Sequence, residues 1–159
     1  MEVDRMGTCA RLAWEDAVEA NRTSPRPRAG VTSGHLLLGV LLHLECAGGI
    51  LVQRIQLSVE HAIRETRWVL QYGRRQEGAQ VVDYSGVPHS PMARKILDMC
   101  VDDANTVSAT YPIGTEHFLT ALIQNPESIG GNLLRSFGVT EKQVLDARTQ
   151  LWERLTVTE

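Results

Sequence analysis

The sequence predicts an all-α fold: two four-helix repeats related by a pseudo-twofold axis and packed on one shared core. Three observations predict it. One eleven-residue pattern returns 82 residues after its first appearance. Apolar residues recur at helical spacing rather than in strict alternation. Helix-start residues stand ahead of the apolar runs in both halves.

The repeat is read directly. Val31-Thr32-Ser33-Gly34-His35-Leu36-Leu37-Leu38-Gly39-Val40-Leu41 falls on Ile113-Gly114-Thr115-Glu116-His117-Phe118-Leu119-Thr120-Ala121-Leu122-Ile123. Without a gap, Gly48-Gly49 then falls on Gly130-Gly131, Leu51-Val52 on Leu133-Leu134, and Leu57-Ser58 on Val139-Thr140. Upstream the shift is 83, bringing Ala10-Arg11 onto Ala93-Arg94 and Ala17 onto Cys100. The one-residue slip falls in the loop after each first helix.

Each element has a local cause. Ala10 to Asn21 sets Ala10, Ala13, Trp14 and Ala17 on one helical face, and the Pro25/Pro27 loop ends it. Ser33 or Thr32 caps a second helix that is apolar nearly all round and so is expected to be buried. Gly48-Gly49 marks a turn or a close helix approach. Ser58 caps a fourth helix through Ile63 to Leu70. In the second half Ser90-Pro91 is an N-cap followed by proline at the first helical position. Ala93, Ile96, Leu97, Cys100 and Ala104 share the face that follows. Thr115 is expected to cap the next helix, and Thr140 with Gln143 forms a capping box for the last. Residues 71–89, with Arg74-Arg75 and the short β-like stretch Val81-Val82-Asp83-Tyr84, read as a linker without a sheet, because one short strand has no partner. The expected organisation is one domain over 1–159: repeat one about 8–70, a linker about 71–89, and repeat two about 90–155.

Composition narrows the function. Hydrophobic residues make up 43% and charged residues 22% of 159, ordinary for a soluble globular chain, and aromatics at 5% leave the core to aliphatic side chains. A net charge of −3 argues against nucleic acid as a partner. The start of the chain has no apolar h-region, and the longest apolar run, Leu36 to Leu42, is far too short to span a membrane. Cys9, Cys46 and Cys100 are widely spaced and odd in number, so they are expected to be buried reduced thiols, and the chain to be cytoplasmic.

No catalytic or metal constellation emerges. His35 and His43 are eight residues apart, not the four of a zinc helix. Cys100 lies on an apolar helix face, where a thiol is inert. His35 and His117 are equivalent, which favours a structural imidazole. Arg26, Arg28, Arg74 and Arg75 read as solvated loop charge. An enzyme built on Cys100, His117 or Asp102-Asp103 lacks any supporting signature. No cofactor-binding pattern and no G-x-x-x-x-G-K-[ST] loop is present.

The doubled Gly-Thr-Glu-His-x-Leu unit at Ile113-Gly114-Thr115-Glu116-His117-Phe118-Leu119 resembles the amino-terminal repeat domain of the Clp-family AAA+ unfoldases, the ClpA/ClpC/ClpB type. Ser90-Pro91-Met92-Ala93-Arg94-Lys95-Ile96-Leu97 is similar to the family's Thr-Pro-Arg-Ala-Lys-Lys-Val-Ile start of the second repeat. Asn132-Leu133-Leu134-Arg135-Ser136-Phe137-Gly138-Val139 is similar to its Val-Leu-x-x-Leu-Gly-Val ending. The resemblance covers about residues 8–155. It implies a non-catalytic protein-interaction module of bacterial type, without ATPase modules. Such a module is an adaptor or accessory factor whose partners are a Clp unfoldase, a Clp protease subunit or a client protein. The alternative is a regulatory sensor holding a small ligand in the groove between repeats. The resemblance further implies a phosphoarginine pocket in each repeat, made by the Glu of Gly-Thr-Glu-His and a hydroxyl at the start of the repeat. Carried over, Glu116 with Ser90 retains one pocket, the carboxylate for the guanidinium and the hydroxyl with a helix N-terminus for the phosphate. Gly34 stands where the other pocket needs Glu, with Gly7 or Thr8 at its start. The other reading of the retained pair is structural: Glu116 complements a helix dipole and Ser90 is an N-cap.

Overall fold

A computed structural model describes residues 3–78, 81–82 and 86–157. Among these residues eight α-helices form two sets of four: α1 (Thr8–Thr23), α2 (Ser33–Leu42), α3 (Ala47–Arg54), α4 (Val59–Tyr72), then α5 (Pro91–Asn105), α6 (Thr115–Ile123), α7 (Ile129–Ser136) and α8 (Glu141–Val157). The fold is all-α, as the periodicity predicts. Both middle helices, α2 and α6, are buried on every side. They pack on each other, α2 also against α1, α4 and α7, and α6 against α5, α3 and α8. The apolar faces read from spacing are the buried ones: Ala10, Ala13, Trp14 and Ala17 on α1, and Ala93, Ile96, Leu97, Cys100 and Ala104 on α5.

A helix buried at its N-terminus must find partners for its first N–H groups. In both repeats a histidine at the third helical position does this: His35 Nδ1 accepts the Thr32 N–H at 2.9 Å, and His117 Nδ1 accepts the Gly114 N–H at 2.8 Å. Thr115 is therefore not the cap; Gly114 is. The Thr115 hydroxyl instead accepts the Gly48 N–H at 2.7 Å, at the start of α3. The mirror contact is Ser33 Oγ accepting the Gly130 N–H at 2.8 Å, at the start of α7. Both glycines are sterically required, since a Cβ on Gly48 would sit 2.7 Å from the Thr115 carbonyl and one on Gly130 2.7 Å from that of Ser33. Ser90 and the Thr140–Gln143 box cap α5 and α8 as expected.

Two further expectations fail. The linker does hold a strand pair, β1 (Val81–Val82) antiparallel to β2 (Pro88–His89), because the chain doubles back on itself and His89 also bridges Val31. Asp83 and Tyr84 lie outside the described residues. Cys9 and Cys46 are not free thiols: they form a disulfide with Cα atoms 5.9 Å apart. Sequence spacing hides this, because the start of α3 returns to the first turn of α1 only in the folded chain. The bond removes the cysteine argument for a reducing compartment. Cys100 is the buried thiol expected, its ionisation pushed well up by burial and by the nearby carboxylates of Asp103 and Glu116. No single helix is long and apolar enough to cross a membrane.

The disulfide closes a loop of 37 residues. On the chain-entropy account such a loop contributes about 4 kcal/mol. Denaturant titration with and without a thiol reductant is expected to show a loss of that order for the wild type. Cys9→Ser is expected to start lower and to be insensitive to reductant.

Candidate functional site

Two junctions organise the surface at the helix starts, and each is made by both halves. The segment leading into α1 pairs with the segment leading into α6: Gly7 N–H donates to Ile113 O at 2.9 Å, and Ile113 N–H to Arg5 O at 2.8 Å. The segment leading into α5 pairs in the same register with that leading into α2: Ser90 N–H donates to Val31 O at 2.8 Å, and Val31 N–H to Pro88 O at 2.9 Å. The lead-in segments are thus exchanged between repeats.

At the α2/α5 junction three helix starts converge, and a linker carboxylate fills the space. Glu77 accepts from Ser33 N–H at 2.7 Å, the Ser33 hydroxyl, the Ser90 hydroxyl at 3.0 Å and Ile129 N–H at 2.7 Å. Ser90 Oγ also accepts the Ala93 N–H, so its hydrogen goes to Glu77 while a lone pair caps α5. Gly34 lies beside this cluster, where a Cβ would approach Ile129 Cγ2 and Leu70 Cδ2 at 2.9 Å, so a side chain there would push both methyl groups aside.

At the α1/α6 junction Glu116 is 7% exposed, and its carboxylate accepts no hydrogen bond among the described residues. It lies 3.5 Å from His117 Nδ1, but that nitrogen already accepts the Gly114 N–H, and burial holds the imidazole neutral by lowering its pKa. The nearby guanidinium of Arg148 is committed to Asp103, with bonds of 2.6 and 2.9 Å, and to the Thr120 hydroxyl at 3.2 Å. A carboxylate without a donor can pair with a cationic group.

Ser90 and Glu116 therefore belong to different junctions. The carry-over that joined them treats each repeat as self-contained, and the exchanged lead-in segments put Ser90 with α2 and Glu116 with the segment before α1. Sequence reasoning also missed Glu77, which no periodicity or motif marks. Of the four loop arginines, two are structural. Arg28 donates to the carbonyls of Val69, Leu70, Gly73 and Arg75, closing the C-terminus of α4, and Arg75 donates to Glu127 O. Arg26 lies 6.0 Å from the Tyr72 ring centroid. Between the repeats a cleft of ≈ 300 Å³ opens beside Leu57, His61, Phe137 and Val139. Among the described residues no group of three or more His, Cys, Asp or Glu is placed to hold a metal.

No family model matches the chain. It is 28% identical over 129 residues to the negative regulator of genetic competence ClpC/MecB of Bacillus subtilis, covering 81% of this chain and 14% of that protein. It is 24% identical over 143 residues to the ATP-dependent Clp protease ATP-binding subunit ClpC of Staphylococcus saprophyticus, covering 90% of this chain and 15% of that protein. The chain thus spans about one seventh of the length of these relatives. Among solved structures it is similar to the N-terminal domain of the chaperone ClpD from Arabidopsis thaliana, with TM-score 0.71, 20% identity, and 96% and 97% of the two chains covered. It is also similar to the N-terminal domain of the ClpV1 ATPase from E. coli, with TM-score 0.65, 18% identity, and 91% and 83% covered. The fold is that of the Clp amino-terminal domains.

Two outcomes follow from the junctions. Glu77→Ala leaves four donors without their carboxylate and is expected to lower unfolding free energy by about 2–3 kcal/mol in denaturant titration. His35 has its pKa lowered from 6.5 to about 4, first by burial and then by Arg28. Its neutral form stabilises the fold fully above pH 6.5, and that contribution, at most about 3 kcal/mol, is lost as pH falls towards 4. Melts across this window are expected to show the decline, and His35→Gln to show a shallower one.

Proposed function

We propose that this domain, with its Clp amino-terminal fold, is a non-catalytic protein-binding module that serves a Clp-type unfoldase or protease as an adaptor or accessory factor. Its partners are then a Clp subunit or a client protein. The likeness to ClpC over nine tenths of the chain supports the Clp connection, and placement in the cytoplasm rests on that likeness alone. The single observation that supports binding rather than mere scaffolding is Glu116, a buried carboxylate with no hydrogen-bond donor at a junction of two helix starts. The ligand it suits is a guanidinium, including that of a phosphorylated arginine. On this reading one such site operates. Ser90 joins it only if Glu77 leaves and the two junctions act on one extended ligand; with Glu77 in place, Ser90 is a cap. The alternative, a small-ligand sensor, draws on the cleft beside His61 and Phe137.

Capture of the tagged chain from its source cell separates these readings: a Clp subunit comes down with an adaptor, whereas a sensor comes down alone. Calorimetric titration with phosphoarginine tests the site. One equivalent is expected to bind, and Glu116→Ala to weaken it about ten- to a hundred-fold, the worth of a charge-assisted hydrogen bond. If Glu116 only complements the dipole of α6, the substitution costs about 0.3–1 kcal/mol of stability and no heat of binding is seen with either protein.

A further inference from the structure

A cavity of ≈ 220 Å³ lies within repeat one, between the end of α1, the Pro25 loop, α2 and α4. His35, Leu38 and Leu70 line it, with Arg67 and Gln71 on α4. The equivalent space in repeat two is full. There the Tyr111 ring meets His117, the counterpart of His35, edge-on at 6.2 Å, and meets Trp152, the counterpart of Leu70, at 6.2 Å. Arg148 fills the rest, bound to Asp103 and to Thr120, the counterpart of Leu38. Repeat one has Ala29 and Thr66 where repeat two has Tyr111 and Arg148. Repeat one therefore lacks the ring and the guanidinium that pack on His117 and Thr120 in repeat two.

Its chemistry is specific. His35 Nδ1 accepts the Thr32 N–H, so the ring proton is on Nε2, which makes no hydrogen bond among the described residues. His35 is 2% exposed and lines the cavity, which places this donor's ring at its wall. Beside it Trp68 and Tyr72 are 57% and 51% exposed, with ring centroids 5.6 Å apart. Exposed aromatic surface of this kind marks contact sites, where tyrosine and tryptophan act as anchors. The surroundings are cationic. From Arg64 to Tyr72, α4 carries Arg64 and Arg67 against one carboxylate, Glu65, and the loop adds Arg26 and Arg28. Glu19, on α1, is taken up by Arg22. Arg67 forms no ion pair among the described residues.

We infer that this cavity, with the Trp68–Tyr72 face and Arg67, is a second protein-binding site that takes a tyrosine side chain flanked by acidic residues in a partner polypeptide. The partner's ring enters where Tyr111 sits in repeat two, its hydroxyl accepts from His35 Nε2–H, and its carboxylates meet Arg67 and Arg64. The inference rests on the reading of the chain as a binding module, but it uses a different surface from Glu116.

The test is fluorescence anisotropy of a labelled Glu-Asp-Tyr-Asp-Glu peptide titrated with the full chain, its disulfide intact. Saturable binding is expected, weakened at least ten-fold when alanine replaces the peptide's tyrosine or lysine its acidic residues. Ala29→Tyr, which places a ring where repeat two has one, is expected to cost at least ten-fold while melting no lower than the wild type. Arg67→Glu, a surface change that leaves the core intact, is expected to do the same. Absence of saturation, equal binding of the lysine peptide, or affinity unmoved by Arg67→Glu overturns the inference. So does a concentration-dependent dimer in sedimentation that Ala29→Tyr abolishes, since the occupant is then a second copy. Phosphoarginine titration and Clp capture are read independently, so failure here with success there removes this site alone.

Discussion

The structure depends on a reciprocal contact in which one helix start of each half donates to a hydroxyl of the other. Ser33 at the head of α2 receives the Gly130 N–H, and Thr115 at the head of α6 receives that of Gly48. The contact is short enough that only glycine fits opposite the hydroxyl residue. It gives α7 and α3, which begin inside the protein, a partner for an early N–H that has no access to water. At the heads of α2 and α6 a histidine at the third position accepts the cap N–H, and at α2 a carboxylate from the linker adds to it. The histidines must stay neutral at Nδ1 to accept a backbone N–H, and burial of both rings favours that neutral form.

Much of this fold is legible in the sequence because it is local. The buried faces of α1 and α5 follow from spacing alone, and the Ser90 cap and the Thr140–Gln143 box from residues three apart. The doubling shows that His35 and His117 do one job, though not that the job is capping. What stays hidden is non-local. Cys9 meets Cys46, Arg28 closes α4, and Glu77 joins α2, α5 and α7, contacts between residues tens of positions apart. None has a periodic or motif signature. The site residues show the same division: Glu116 is recognisable by its motif, whereas its separation from Ser90 depends on which lead-in segment pairs with which helix.

The halves share a backbone plan and differ in how they satisfy it. Repeat two carries its own carboxylate at Glu116 and its own ring at Tyr111. Repeat one has Gly34 and Ala29 at those positions, borrows a carboxylate from Glu77, and leaves the space of the ring open. Ile129 and Leu70 pack over Gly34, so a side chain there requires their methyl groups to shift. The two halves thus differ at two positions where a symmetrical domain would present identical surfaces.

The exchange of lead-in segments has a topological consequence. Neither four-helix unit is closed by its own chain: the backbone partner of Val31 is carried by the second unit, and that of Ile113 by the first. An isolated unit would have an unpaired extended segment and a donor face awaiting the same segment from elsewhere. Two such units satisfy one another by trading ends, as in a domain-swapped pair. The polypeptide is in effect that pair joined by residues 71–89. In a solenoid of stacked units stability adds up repeat by repeat, whereas each of these two halves supplies a backbone partner that the other lacks.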